Sequence, residues 1–305
     1  MRDLIEWAYH IDATNLQSFG EIHYIRYLDA YFYIIPVGEE RRTVFFHLLQ
    51  FIQQSPHFTH VLTHANEPTL DIQNKSYYGL LSTVALHQTM TPRQLGIPVL
   101  YKQPFPLATH SKPLWIFKNQ RHEQDLNLAL DLIEPHLRNT LFDIATYYIH
   151  LNEEAYRLLA PLETLSYHTT FCHARVKPDT YLYEWFMPDF LTLDNRSRIY
   201  CEYIRHLFLE TGDLEAVREV VVFATSHAPL TQNEWHLLYA RLFFPAHFYD
   251  LVHELLHGSS VDMAHLYEQT RHYTTLLHAL PLLLKQQTGI TLQTPDWVTR
   301  EALKR

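Results

Sequence analysis

Glycine is scarce. The chain has only seven in 305 residues, and a single one, Gly20, among residues 1–37. Loops that wrap main chain around phosphates need glycine where the backbone takes positive φ or closely approaches the ligand. A glycine-rich phosphate loop is therefore excluded from the N-terminal part. Lysine is missing there too, since the first is Lys75. Two cysteines, Cys172 and Cys201, are too few for a disulfide framework. No apolar run approaches the ~18 residues of a membrane span. The opening "MRDLIEWAYHID" lacks the basic-then-apolar order of a signal peptide. Basic residues are outnumbered, 24 against 33 acidic, for a net charge of −9, and they form no run or stripe. A nucleic-acid partner is not expected. These absences predict a soluble chain made in the cytoplasm.

What is present is enough apolar material, 47% of residues, to fill one large domain or two lobes. Histidine and tyrosine are abundant, at 22 and 20.

The alternation in "GEIHYIRYL" and "AYFYIIPV", split by Asp29, predicts two paired strands. Val44, Phe45, Leu48, Leu49 and Ile52 recur at helical spacing. "FTHVLTH", "TLDIQ" and "YYGLLSTV" read as three more strands. Residues 91–113 then carry Pro92, Pro98, Pro104, Pro106 and Pro113, each resisting a helix interior. Beyond them the pattern is helical over 114–136, 139–160, 195–211, 213–226, 231–242, 246–257 and 261–286. Residues 165–194 read as irregular. The expected organisation is a small α+β lobe over 1–90, a proline-rich connection over 91–113, and a helical lobe over 114–305.

"HELLH" at 253–257 is the one string with a metal-site spacing. His253 and His257 would share a helix face, with Glu254 placed to activate a zinc-bound water, as in zinc peptidases. A third ligand is not supplied at a suitable distance. Met263 stands where the extended motif has histidine, His265 is out of register, and Gly258 stops the helix. A histidine-rich composition produces such strings by chance. The expectation is a structural helix end and no metal or other cofactor.

"FCHARVKPDTYLYEW" resembles the "HGDxHxxNxL" catalytic loop of aminoglycoside and choline kinases. His173 matches the first histidine, Ala174-Arg175 stands in place of Gly-Asp, and Thr180 in place of the metal-binding asparagine. Pro178 and Leu182 keep the framework. "DNRSRIYCEYIRHLF" is similar to the helix after the metal-binding loop, "HPSRDLAEYIR", with Arg198 on its arginine and Ile199 in place of its aspartate. Together with "YFYIIPV" and "LLYARLFFPAHFYDLVHELL", these stretches resemble the spore coat kinase-like proteins of endospore-forming bacteria, the coat protein S and YutH-like group.

The resemblance implies a bilobal protein-kinase-like fold, with a sheet N-lobe and a helical C-lobe. It also implies a place in the spore coat and coat proteins as partners. Chemistry in that fold needs a glycine-rich loop, a strand lysine paired to a helix glutamate, a catalytic-loop aspartate with an asparagine, and a metal-binding aspartate. Here "AYFYIIPV" has no lysine. Arg26 is the only basic residue on the early strands and a poor substitute. Arg175 cannot accept a proton. Lys177 and Asp179 read as solvent-facing turn residues. Asp189 and Arg198 are the candidates for a residual cleft, although counting back from Arg198 puts Phe186 nearer the metal-aspartate position. No catalytic residue is assigned. The degenerate loop comprises His173, Arg175, Asp179 and Thr180, with His173 expected to hold it. The leading expectation is a catalytically inactive, protein-binding member of the spore coat. The alternatives are a phosphotransferase or ligand binder with a rebuilt cleft, and a zinc peptidase through His253, Glu254 and His257.

Overall fold

The computed structural model describes residues 1–53, 55–92, 95, 107–109, 120–122, 124–128, 131, 135–162, 166–226, 229–258 and 262–303. It divides into two compact units. The first takes Met1–Phe105 and Thr170–Asp194, and the second takes Pro106–Thr169 and Asn195–Arg305. Residues 170–194, which follow the first long helix in sequence, thus group with the N-terminal residues.

The first unit is built on an antiparallel sheet. Its strands are β1 (Gln17–Phe19), β2 (Ile22–Arg26), β3 (Tyr31–Val37), β4 (Phe58–Val61), β5 (Leu70–Ile72) and β6 (Lys75–Ser82). The order is β1-β2-β3-β6-β4, and β5 also pairs with β6. Branched and aromatic residues fill these strands, as a pleated, half-buried surface requires. Tyr24 faces Tyr33, and Ile35 faces Tyr78. Because side chains alternate, Tyr24, Tyr33, Ile35, Tyr78 and Leu80 share one face, while Ile25, Phe32, Ile34 and Tyr77 share the other.

Helix α1 (Arg2–Tyr9) covers the second of these faces. Its Ile5, Ala8 and Tyr9, with Ala13, pack against Ile25, Phe32, Ile34, Ile72 and Tyr77. Gly79 is required there, since a Cβ would lie 2.8 Å from the Tyr9 ring and 2.9 Å from the Phe32 ring. Helix α2 (Arg42–Gln53) lies on the first face, with its Phe45 ring 5.1 Å from that of Tyr78.

The second unit is mostly helical: α3 (Pro135–Leu159), α4 (Ser197–Thr211), α5 (Leu214–Ser226), α6 (Gln232–Phe243), α7 (Ala246–Leu256), α8 (Met263–Thr288) and α9 (Asp296–Leu303). Gly212 ends α4 in the left-handed conformation at φ 64°, as expected of a C-terminal glycine. Asp213 then accepts from the Glu215 amide at 2.7 Å. Thr231 caps α6 and forms a reciprocal capping box with Glu234. The core includes Trp235, Leu238, Phe243, Phe248 and Tyr273, and Tyr148 stacks on Phe248 with centroids 4.3 Å apart. Among the described residues no helix is long and apolar enough to cross a membrane.

Several elements depart from the expectation. Residues 165–194 are not irregular: they hold β8 (Ser166–His173), two short 3₁₀ turns and β9 (Leu191–Asn195). Helices α1 and α9 and strand β1 went unread, all being short. The helix expected over 114–136 and the connection over 91–113 fall largely outside the described residues.

Candidate functional site

The loop that follows β8 is organised by His173, which is 3% exposed. Its Nδ1 accepts the Arg175 amide at 3.2 Å, which leaves the proton on Nε2. That atom faces Glu184 Oε2 across 3.3 Å, at ion-pair distance but without the alignment of a hydrogen bond. Trp185 and Phe190 flank the ring, with centroids at 5.9 and 5.7 Å. The other carboxylate oxygen of Glu184 accepts the Tyr181 amide at 2.8 Å. One glutamate thus holds both the histidine and the main chain eight residues later. The Glu184 bond to the Tyr181 amide is one half of a capping box, but with tyrosine in place of Ser or Thr it leaves no signature in the sequence.

The other loop positions serve geometry. Thr180 is buried, and its hydroxyl accepts the Lys177 amide at 2.8 Å while its own amide donates to the Lys177 carbonyl at 3.1 Å. Pro178 and Asp179 occupy the centre of that turn, where proline presets the backbone. Arg175, Lys177 and Asp179 are exposed.

From Thr180 to Phe190 the chain lies on the α2 side of the sheet. The Met90 amide donates to the Thr180 carbonyl at 2.8 Å, Leu182 to Gln88 at 2.9 Å, and Tyr183 to Leu86 at 2.9 Å. Thr89 and Tyr181 form a bridge. Tyr78, wholly buried, donates from its hydroxyl to the Phe186 carbonyl at 2.6 Å, and burial pushes its ionisation well above the usual tyrosine range. The Phe186 ring meets Phe58 at 4.6 Å. Phe19 abuts Tyr181 and Tyr183 at 4.9 and 6.0 Å, and His87 stacks on Tyr24 at 4.9 Å. The Tyr33 hydroxyl accepts the Leu86 amide at 2.8 Å and lies 3.2 Å from His87 Nδ1. Burial, then the Arg26 charge, lowers the imidazole's affinity for a proton, so neutral His87 can accept from Tyr33.

Asp189 is exposed in the turn Pro188–Phe190 and sits against Gly38, where a Cβ would collide with its carboxylate. Arg198 lies in the second unit, at the second residue of α4. β3 carries no lysine, and α2, the helix after it, carries no carboxylate at all. Lys75, exposed, begins β6.

His253 and Glu254 are exposed near the end of α7, and His257 follows its last turn. His257 Nδ1 donates to the His253 carbonyl at 2.7 Å, and the two rings are 4.2 Å apart. Among the described residues no group of three histidine, cysteine, aspartate or glutamate side chains is placed to hold a metal ion.

Two polar networks anchor the second unit. Arg196 grips Glu234 with a two-pronged fork, Nε at 2.8 Å and Nη2 at 2.7 Å, while Asn195 and the Thr231 amide donate to the same carboxylate at 3.3 and 2.8 Å. Arg205, 1% exposed, bonds Glu202 at 2.9 Å and the carbonyls of Arg241 and Phe244 at 2.6 and 3.3 Å. A separate cavity of about 300 Å³ opens among α3, α8 and α9, with Tyr147, Tyr267 and Trp297 in its walls.

Residues 134–278 match the family model described as "Spore coat putative kinase YutH". Over that stretch, just under half of the chain, the sequence is similar to the YutH-like spore coat proteins. A curated relative, the endospore coat-associated protein YutH of Bacillus subtilis (strain 168), is 30% identical over 133 residues, 40% of this chain. The match spans only 39% of that relative's length. Among solved structures, the aminoglycoside phosphotransferase from Alicyclobacillus acidocaldarius superposes with a TM-score of 0.63 at 13% identity, covering 89% of this chain and 92% of the other. Spectinomycin phosphotransferase APH(9)-Ia gives 0.53 at 11% identity, with the same shares covered. At such identities the likeness shows the fold alone: the chain has the bilobal, aminoglycoside phosphotransferase-like architecture, α+β in class.

Proposed function

We propose that this YutH-like chain is a catalytically inactive kinase-fold protein, deposited in the spore coat and acting there through contacts with other coat proteins. The placement rests on the curated relative, whose name states coat association. The inactivity rests on one observation above all. The positions that would perform chemistry in the loop are either committed to holding it or chemically unsuited. Thr180 spends its hydroxyl on the turn. His173 is fixed by the Arg175 amide and faced by Glu184. Arg175 has no basic lone pair with which to accept a proton from a substrate hydroxyl. Neither β3 nor α2 offers the lysine and carboxylate that would position a nucleotide. A family description containing the word kinase then reflects fold.

The full chain, purified without a tag, should transfer no phosphate from magnesium ATP to small hydroxyl compounds. Arg175→Asp should not restore transfer, because the lysine–carboxylate pair is still missing. Transfer by the wild type would sink the proposal. Transfer by the variant would show that the remaining positions suffice, and that the loop arginine alone had silenced the enzyme.

A further inference from the structure

The sheet of the first unit has two broad faces. Helix α1 covers one and α2 covers part of the other. The rest of the α2 side, and the main-chain edge of residues 86–90, would be open polar and aromatic surface if nothing lay on them. Unpaired main-chain groups and bare aromatic rings are what a flat ligand or an added strand recognises. Here the chain supplies its own occupant. We infer that Thr180–Phe186 is a built-in strap that seals this face and edge, so that the first unit excludes outside ligands there until the strap is displaced.

Four observations carry the inference. Main-chain bonds join Met90 to Thr180, Leu182 to Gln88 and Tyr183 to Leu86, and Thr89 bridges Tyr181. The edge is therefore used at each of those positions. Tyr78, deep in the sheet, donates its hydroxyl to Phe186, which pins the far end of the segment. Rings interleave along the way: Tyr181 and Tyr183 stack on each other at 5.8 Å, and Phe19 packs edge-on to both. Finally, the β1–β2 hairpin, where the resemblance looks for a loop over phosphates, rests on this segment. Gly20 at its turn is so close to Tyr183 that an added Cβ would lie 2.9 Å from the phenol oxygen. The space under the hairpin is occupied by tyrosine.

The near end of the strap is governed by Glu184, which holds the Tyr181 amide and faces His173. The loop residues and the strap therefore form one assembly, which gives the histidine a reason to be kept without catalysis. The inference rests on the reading of an inactive kinase fold and concerns the same region, but it can fail separately from it.

Hydrogen exchange of the intact wild-type chain, read by fragment mass spectrometry, tests it. Amides of Leu182, Tyr183 and Met90 should exchange at least about a hundredfold more slowly than in unstructured chain, and together with those of β6. Adding magnesium ADP at millimolar concentration should leave both this protection and the thermal midpoint unchanged. In Tyr181→Ala/Tyr183→Ala, protection over 180–186 should fall at least about tenfold while the helices of the second unit keep theirs. Unprotected amides over 180–183 in the wild type would overturn the strap, and this result does not depend on the variant folding. Saturable nucleotide binding by the wild type would also overturn it. If such binding came without phosphate transfer, the reading of an inactive protein would stand.

Discussion

Replacing Arg205 by alanine is the sharpest perturbation of the second unit. The guanidinium is buried beside Glu202, which is itself only 7% exposed. Burial by itself disfavours the charge, but Glu202, Cys201 and Tyr273 together outweigh it and keep Arg205 charged. Removing the arginine leaves Glu202 without its guanidinium partner and takes the donor from the carbonyls of Arg241 and Phe244. Breaking a buried pair from one side costs about 3–5 kcal/mol, because the remaining charge is stranded. For a unit of this size each kcal/mol moves the midpoint by about 2–4 °C, so Arg205→Ala should lower it by roughly 6–20 °C. Thermal melts followed by circular dichroism at 222 nm read the change, since the long helices lie in this unit. The two compact units can melt separately, so the transition with the larger helical amplitude is the one to compare. Glu202→Leu/Arg205→Met removes both charges and keeps the volume, and should recover most of the loss. A fall of less than about 2 °C in the single variant, or a double variant as damaged as the single, would refute the reasoning.

Two further outcomes follow from the site geometry. Burial alone would raise the Glu234 carboxyl, but the Arg196 fork and the Thr231 donors outweigh it and hold its ionisation below the ordinary value of 4.5. Its contribution is therefore complete above that pH and lost as pH falls through the folded-state value. Calorimetric midpoints should drop more steeply below about pH 4.5 in the wild type than in Glu234→Gln, and parallel curves would exclude the carboxylate as the cause. Both cysteines are buried, and burial pushes the Cys201 thiol up to about 11. A thiol reagent at pH 8 should thus label neither until denaturant is added, and prompt labelling of the native chain would contradict that burial.

Much of the architecture was legible because periodicity reports burial. The strands over 22–37 and 58–82 and the helices over 197–256 were read from which residues point inward. Gly212, Asp213 and Thr231 are residue types whose local roles at helix ends can be read from sequence, and they cap helices here. What escaped was set by distant partners. "SYHTTFCH" has no clear alternation, and β8 is a strand because its neighbours are β7 (Leu107–Thr109) and β9. Tyr181, Glu184 and Phe186 carry no motif; their role comes from Leu86–Met90 and Tyr78, about a hundred residues earlier in the chain.

Of the stretches that carry the family resemblance, "DNRSRIYCEYIR" is the one built into buried polar networks. Asn195 and Arg196 are tied to Glu234 at the start of α6, and Glu202 with Arg205 forms the buried pair inside α4. Changing any of these would leave a buried polar group unmatched, which costs several kcal/mol in a fold whose whole stability is about 5–15 kcal/mol. Arg175, Asp179 and Asp189 are exposed, and substitutions at exposed positions stay within about 0.5 kcal/mol. Stability therefore holds the scaffold residues in place and is indifferent to the chemical ones. On the proposed reading of an inactive protein, stability and contacts alone would keep the buried helix and place no demand on position 175.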